Sequence, residues 1–430
     1  MRTQHLARAA AVLALALAGV ACGTGGSSSS SSTQSGTLTV WLMNGSAPPS
    51  VVDGVNADFK TQHPNVKVNV QIQQWSDVTT KLDTAFAGST PPDVVELGNT
   101  LVAKYGAAGA LADVSGRKSG YQNSGTWLQS LTDSCVVSGK LSCVPYYAGS
   151  RAIVYRKDMF ASAGIAAPPA SMAELMADGQ KLMAANSTDA DYSALYFPGK
   201  YWYAALPFIW DFGGDIATRS GSQWKGTLDS SGSQQGLTTL ATMVAKLSRA
   251  NKTGDEAKQD QAFVQGHIAM LIANGWEIGV ITDPKTGDPT LKDKLGVFPI
   301  PSHNAGQVAP VFLGGSDLGI AAKSKNQDLA NDWVKLLANT KFQTQMATVG
   351  QVIPNTTTLL DVNKDQPLIG TFAQAAKNSR FVPNSPNWAN VESANVLPDM
   401  LVSIFSAKAS VPQATASAST QVAQILNAKS

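Results

Sequence analysis

The chain has 430 residues, of which 43% are hydrophobic and 14% are charged, a composition typical of a globular protein. Its 32 Lys and Arg residues include Arg2 and Arg8 in a 21-residue opening segment that has no acid, so the rest of the chain carries 30 basic and 30 acidic side chains. This balance gives no reason to expect nucleic acid or an anionic membrane surface as a partner. The length suffices for two large domains.

The first 21 residues are organised like an export signal. Arg2 and Arg8 precede an apolar run from Ala9 to Ala21, which suits the hydrophobic region of a signal peptide better than a membrane span. The small residues before Cys22 resemble a bacterial lipoprotein signal, although Gly19 stands where that signal usually has a larger aliphatic residue. We therefore expect lipidation at Cys22, with plain secretion or an ordinary buried cysteine as alternatives. Residues 22–35 are rich in Gly, Ser and Thr and are expected to form a flexible tether.

The two remaining cysteines, Cys135 and Cys143, bracket VVSGKLS, which predicts a tight hairpin around Ser138 and Gly139. Exported proteins fold under oxidising conditions, so a disulfide is expected, with two reduced thiols as the alternative. A zinc site is disfavoured because no histidine is nearby. The chain's four histidines form no metal-binding pattern, and neither a nucleophile elbow nor a phosphate-binding loop is present. We therefore predict neither a cofactor nor a metal.

The segment after the tether alternates between strand and helix patterns. TLTVWL (37–42), VKVNVQI (66–72) and PPDVVELG (91–98) predict strands, with amphipathic helices between them. This βαβαβ order predicts an α/β fold with a parallel, doubly wound sheet, in which ligands bind beyond the carboxyl ends of the strands. Helix capping is the alternative role for the polar residues there. The candidate binding residues at these strand ends are Asn44, Trp75, Glu96 and Asn99.

A dense aromatic segment lies between Tyr196 and Phe212, where eight of the chain's 31 aromatic residues occur. Helical spacing places Trp202, Leu206 and Trp210 on one face, which by itself indicates core packing. The segment could equally pack in a core or line a ligand-binding surface. If it lines a binding surface, Trp202 or Tyr203 is the expected ligand contact.

Six short stretches, in order, resemble the sugar-binding lipoproteins of ABC importers, in the maltose-binding-like branch of the extracellular solute-binding proteins. They are TLTVWLMNGS, PDVVELGNT, VPYYAGSRAIVYRKDMF, NGWEIG, FLGGSDLGIAAKSK and NWANVE. The resemblance covers about residues 36–427. It implies two α/β lobes that close around a sugar, the first made of residues 36–149 and 302–353 and the second of residues 150–301 and 354–430.

The resemblance also implies which residues carry the ligand. Flat aromatic rings can cover the apolar faces of a pyranose, and charged and amide groups can bind its hydroxyls. Trp276 and Trp388 are the stacking candidates, although either could instead pack in a core. Glu96, Asn99, Arg151 and Asp317 are the hydroxyl-binding candidates, and GGSD could also be a simple turn. The full set matched to the family's motifs is Asn44, Trp75, Glu96, Asn99, Tyr147, Arg151, Trp276, Gly314 to Asp317 (with Gly315 among them) and Trp388.

The local stretches LTVWLMNGS, IQQW and ELGNT look most like the chitobiose or N-acetylglucosamine binders of this family, whose neighbours bind cellobiose, maltose or trehalose. We expect a disaccharide or longer ligand, and a lipid-anchored monomer outside the cytoplasmic membrane that delivers this sugar to the permease subunits of an ABC importer. A surface-anchored glycan-cleaving enzyme is the rival hypothesis, with Glu96 and Asp317 as its conceivable carboxylate pair. A scaffold or adhesion lipoprotein is a third.

Overall fold

The computed structural model describes residues 35–429. The strands in this range are β1 (Gly36–Met43), β2 (Val66–Gln73), β3 (Val94–Gly98), β4 (Val136–Val137), β5 (Lys140–Leu141), β6 (Val144–Gly149), β7 (Ala152–Arg156), β8 (Ser193–Tyr196), β9 (Ala217–Ser220), β10 (Gln223–Gly226), β11 (Ile268–Ala273), β12 (Leu295–Phe298), β13 (Val311–Phe312), β14 (Gly314–Ile320), β15 (Ile353–Pro354) and β16 (Ser379–Arg380).

Helices flank these strands. The α-helices in the same range are α1 (Pro49–Gln62), α2 (Val78–Ala87), α3 (Val102–Ala107), α4 (Gln129–Cys135), α5 (Lys157–Ser162), α6 (Met172–Ala185), α7 (Trp202–Asp211), α8 (Ser231–Leu247), α9 (Gln259–Val264), α10 (Gly275–Ile281), α11 (Gln327–Leu337), α12 (Thr340–Thr348), α13 (Pro367–Ala376), α14 (Trp388–Ser393), α15 (Val396–Phe405) and α16 (Val411–Leu426). Among residues 35–429, none of the helices combines the length and the hydrophobicity that a membrane span requires.

Two sheets form the centres of two lobes. The first lobe is built on a six-stranded sheet in the order β15-β6-β14-β3-β1-β2, and the second on a four-stranded sheet in the order β12-β7-β11-β8. Strands β1, β2 and β3 run parallel, whereas β14 is antiparallel to β3 and to β6. The predicted two-lobed α/β fold is confirmed, and each lobe has its own large apolar core.

The opening βα unit forms as its side-chain pattern predicts. Alternate residues Leu38, Val40 and Leu42 of β1 point into the first core and are buried. Val51 and Phe59 of α1 lie on the helix face that packs against the same core, at helical spacing. Burial of these faces of β1 and α1 fixes the register of β1 in the sheet. The predicted site lies at the carboxyl end of this strand.

The chain crosses between the lobes at places that the structure defines. The first crossing lies between β6, which joins the first sheet, and β7, which joins the second. The return to the first lobe is predicted at residue 302, but β13 pairs with β16 and packs in the second core. Because these contacts place β13 in the second lobe, the chain would return to the first lobe after Phe312 rather than at residue 302. The other predicted limits of the lobes stay predictions.

The predicted hairpin and disulfide are both present. Strands β4 and β5 pair on either side of Ser138 and Gly139, which both have positive φ, and the Cys135 and Cys143 sulfurs are bonded. The side chain of Asp317 lies beside these sulfurs. Because both sulfurs are held in the disulfide, this trio does not form a metal site.

Candidate functional site

A cleft of about 1100 Å³ lies between the two lobes. Its first wall comes from the loops that follow β1, β2 and β3, at the carboxyl ends of three parallel strands. Its second wall comes from α7, α10 and the loop before α9, and its floor from the crossing between β6 and β7. The volume is slightly above the usual range for small-molecule sites, so the cleft has room for a ligand larger than a monosaccharide.

The cleft brings together most of the residues that the sequence singled out. The predicted site residues that line the cleft are Asn44, Trp75, Asn99, Tyr147, Arg151, Tyr203, Trp276, Gly314 and Gly315.

Two tryptophans project into the cleft from opposite lobes. Trp75 of the first lobe is 42% exposed and Trp276 of the second lobe is 38% exposed, which is unusual for so large an apolar side chain. A glycine lies beneath each indole, Gly98 under Trp75 and Gly149 under Trp276. Two indole faces in one cleft are suited to an apolar ring face of a ligand.

Glu96 lies beneath the cleft wall rather than on it. Its side chain is buried, and it accepts hydrogen bonds from the Met43 amide at 2.8 Å, Ser46 Oγ at 2.7 Å and Tyr147 Oη at 3.4 Å. Burial raises its pKa to about 7, against these hydrogen bonds. Glu96 therefore holds the loop after β1 and the wall residue Tyr147 in place.

Asp317 of β14 also lies away from the cleft, and its side chain is fully buried. Its Oδ2 accepts a hydrogen bond from Ser134 Oγ at 2.9 Å, and burial raises its pKa well above the ordinary value. Ser316 lines the cleft and Asp317 does not, and the pairing of β14 with β6 is irregular between these two residues. A sequence pattern does not reveal such an irregularity, so it could not show which residue of GGSD faces the ligand.

Trp202 and Trp388 lie in the core of the second lobe, with ring centroids 5.9 Å apart. The burial of Trp202, Leu206 and Trp210 confirms the core face predicted for α7. Trp388 is 1% exposed, so its ring has no face free for a sugar in this structure. The stacking role predicted for Trp388 therefore has no support in its position.

A model of the bacterial extracellular solute-binding proteins matches residues 44–344. The chain belongs to this family. Among curated relatives of this solute-binding protein is the diacetylchitobiose binding protein DasA of Streptomyces coelicolor, 35% identical over 359 residues, which cover 83% of this chain and 82% of that one. A probable ABC transporter-binding protein of Deinococcus radiodurans is 28% identical over 56% of this chain and 59% of its own.

Solved structures agree on the fold. The GacH receptor of Streptomyces glaucescens, solved unliganded and with acarbose, superposes on this solute-binding protein with a TM-score of 0.79, 24% identity and coverage of 92% of this chain and 100% of that one. Maltose-bound MalE3 of T. maritima gives a TM-score of 0.76 and 20% identity, over 90% and 98%. These relatives are solute-binding proteins, which separates this chain from the rival glycan-cleaving enzymes. The carboxylate pair conceived for that enzyme, Glu96 and Asp317, is also buried outside the cleft.

The solute-binding protein also presents wall carboxyls that sequence reasoning missed. Glu392 of α14 accepts hydrogen bonds from Trp388 Nε1 at 2.8 Å and from Thr100 Oγ1 of the first lobe at 3.2 Å. Burial raises the pKa of Glu392 to about 7. A signal was available, since Glu392 follows Trp388 by four residues in NWANVE and therefore shares its helix face.

Glu256 and Glu277 line the second-lobe wall near Trp276. Glu277 accepts hydrogen bonds from the Asn274 amide and Gln259 Nε2, both at 2.8 Å, and burial raises its pKa to about 7. Burial also raises the pKa of Glu256. Glu256 carried no sequence signal, because it lies in a polar loop without a motif.

Proposed function

We propose that this solute-binding protein captures a di- or oligosaccharide and delivers it to the permease subunits of an ABC importer. The observation that carries the proposal is the pair of exposed indoles, Trp75 and Trp276, on opposite walls of one cleft. Each can cover one apolar face of a sugar ring, while Asn44, Asn99 and Tyr147 offer amide and hydroxyl groups to its rim. Contacts from both lobes would favour a closed, ligand-bound form.

N,N'-diacetylchitobiose is the first candidate ligand. The support is the 35% identity to a diacetylchitobiose binding protein over four fifths of both chains. Cellobiose, maltose and trehalose are the alternatives.

A thermal-shift and calorimetry panel tests this proposal. The purified chain from Gly36 onward is titrated with the four disaccharides and with glucose and N-acetylglucosamine. A ligand that binds only the folded state raises the melting temperature by mass action. We expect one disaccharide to raise it clearly and to be recovered uncleaved. If none of these sugars shifts the melting temperature or gives heat, sugar capture is wrong.

We also propose that residues 1–21 are a lipoprotein signal, that Cys22 is lipidated, and that residues 22–35 tether a monomer to the outer face of the cytoplasmic membrane. These residues lie outside the described range, apart from residue 35, and the sequence pattern is the support. A tether keeps the binding protein near its permease and raises its local concentration there.

The lipid anchor is tested by replacing the cysteine in cells. Cys22→Ala is expected to move the protein out of the membrane fraction and to leave sugar affinity unchanged, whereas Ser27→Ala in the tether changes neither. Retention of Cys22→Ala in membranes at the wild-type level would exclude lipidation as the anchor.

A further inference from the structure

Arg151 lies on the floor of the cleft, and one nitrogen of its guanidinium has no hydrogen-bond partner. It is the residue before β7 at the crossing between the lobes, and only 6% of it is exposed. Its Nε–H donates to Tyr201 Oη at 3.1 Å, which fixes the direction of the guanidinium. Its Nη1 is buried and has no hydrogen-bond acceptor among residues 35–429. An unmet donor on a buried charge is costly, so an acceptor supplied by the ligand would be strongly favoured.

Aromatic rings surround this guanidinium. Its central carbon is 4.8 Å from the Tyr203 ring centroid, 5.5 Å from that of Tyr201 and 5.6 Å from that of Phe312. Tyr203 and Phe312 are themselves stacked, with centroids 5.0 Å apart, and both line the cleft. A group bound to Arg151 would therefore have an apolar surface beside it.

The charges on the cleft walls oppose an anionic ligand. Of the described residues that line the cleft, Arg151 is the only Lys or Arg, whereas five are acidic. Glu256 is one of these acids; the positive charge of Arg151 acts on it, and no other described residue donates a hydrogen bond to its carboxyl group. A carboxylate ligand would be repelled by this wall, but a neutral group that both accepts and donates a hydrogen bond would not. The five acidic residues are Glu256, Asp260, Glu277, Asp283 and Glu392.

An acylamino group has this chemistry. Its carbonyl oxygen is a strong acceptor that carries no proton, its N–H is a donor, and its methyl is apolar. We propose that Arg151 determines specificity for N-acetylated sugars by donating to the acetamido carbonyl oxygen, with the methyl against Tyr203 and Phe312 and the N–H directed to Glu256. This inference rests on the proposed function, because it assigns the substituent that the sugar cleft recognises.

The test compares two β-1,4-linked dimers that differ in the substituent at C2. N,N'-diacetylchitobiose carries acetamido groups there and cellobiose carries hydroxyls. Calorimetry on the chain from Gly36 onward is expected to show tighter binding of diacetylchitobiose. In Arg151→Met, which keeps the apolar stem, its affinity should fall by about 10- to 100-fold, the range for loss of a hydrogen bond to a charged group. The affinity for cellobiose should fall by a smaller factor, because its C2 hydroxyl is a weaker acceptor than an amide carbonyl.

Tyr201→Phe is a second, milder variant. It removes the acceptor that directs Nε but keeps the ring, so it should reduce the affinity for diacetylchitobiose more than that for cellobiose. If Arg151→Met does not fold, as judged by its melting transition, Tyr201→Phe tests the same inference. The inference is overturned if a folded variant loses affinity for both dimers equally, or if the wild type prefers cellobiose. If the wild type binds no sugar at all, the proposed function itself fails.

Discussion

Trp75 and Trp276 differ from the chain's buried tryptophans in having a free ring face inside the cleft. Replacing either with alanine removes a stacking surface while leaving the cores intact. We expect Trp276→Ala and Trp75→Ala each to weaken sugar binding by about tenfold or more, measured by calorimetry. Trp224→Ala, in a hairpin of the second lobe away from the cleft, is the matched control and should bind as the wild type. Wild-type affinity in both cleft variants would contradict stacking.

The glycines under these indoles are not equivalent. A Cβ on Gly149 would run into the Trp276 ring, whereas a Cβ on Gly98 would lie 3.6 Å from Trp75, an ordinary contact. We therefore expect Gly149→Ala to displace the Trp276 ring and lower sugar affinity, and Gly98→Ala to be tolerated. Gly116→Ala is the control, since nothing lies within 4 Å of its added Cβ. Equal affinity in the two cleft-side variants would show that the ring moves without cost.

Glu392 predicts a pH dependence of stability. Burial raises its pKa from 4.5 to about 7 in the folded chain, so folding favours the protonated carboxyl. That contribution to stability is full below about pH 4 and is lost as the pH rises through about 7. We expect the free energy of unfolding to decrease over this window and Glu392→Gln to remove part of the decrease. Guanidinium-induced unfolding at several pH values measures this decrease. If the free energy of unfolding falls with pH equally in wild type and variant, the raised pKa of Glu392 is refuted.

At the scale of elements, the β4–β5 hairpin is fastened by a short disulfide outside the cleft. Opening a loop of this size costs about 2–3 kcal/mol in the chain-entropy account. We expect the Cys135→Ser, Cys143→Ser double variant to lose about that much stability in denaturant unfolding and to keep its sugar affinity. A loss of affinity at a temperature where the variant is folded would place the hairpin in the binding machinery.

Elements with periodic side chains were predictable from the sequence. The alternation of apolar residues in β1 and their helical spacing in α1 each indicate one buried face. Both elements form where predicted. The site was less predictable, because a pattern shows that a residue is aromatic or acidic but not which way it points. Sequence alone therefore predicts Trp388 and Asp317 as cleft residues, which the structure contradicts, and it gives no sign of Glu256, which a polar loop brings to the wall.

For the whole molecule, the lobes are joined by chain crossings at the cleft floor, and each wall belongs to a different lobe. A ligand that contacts both walls should draw them together. We expect small-angle scattering to show a smaller radius of gyration when the best-binding sugar is present. Trp276→Ala should show no such change at the same sugar concentration. An unchanged radius in wild type saturated with sugar would mean that binding occurs without closure.

The exposure of Trp75 and Trp276 has an optical consequence. The chain has nine tryptophans, and Trp333 and Trp388 are among its most completely buried side chains. Indole emission moves to shorter wavelength when water leaves the ring. A sugar that covers the two cleft indoles would therefore shift their emission, while the emission of the buried indoles would stay unchanged. The molecule thus carries a built-in reporter of its cargo, and capture and release can be timed in a stopped-flow cell without any added dye.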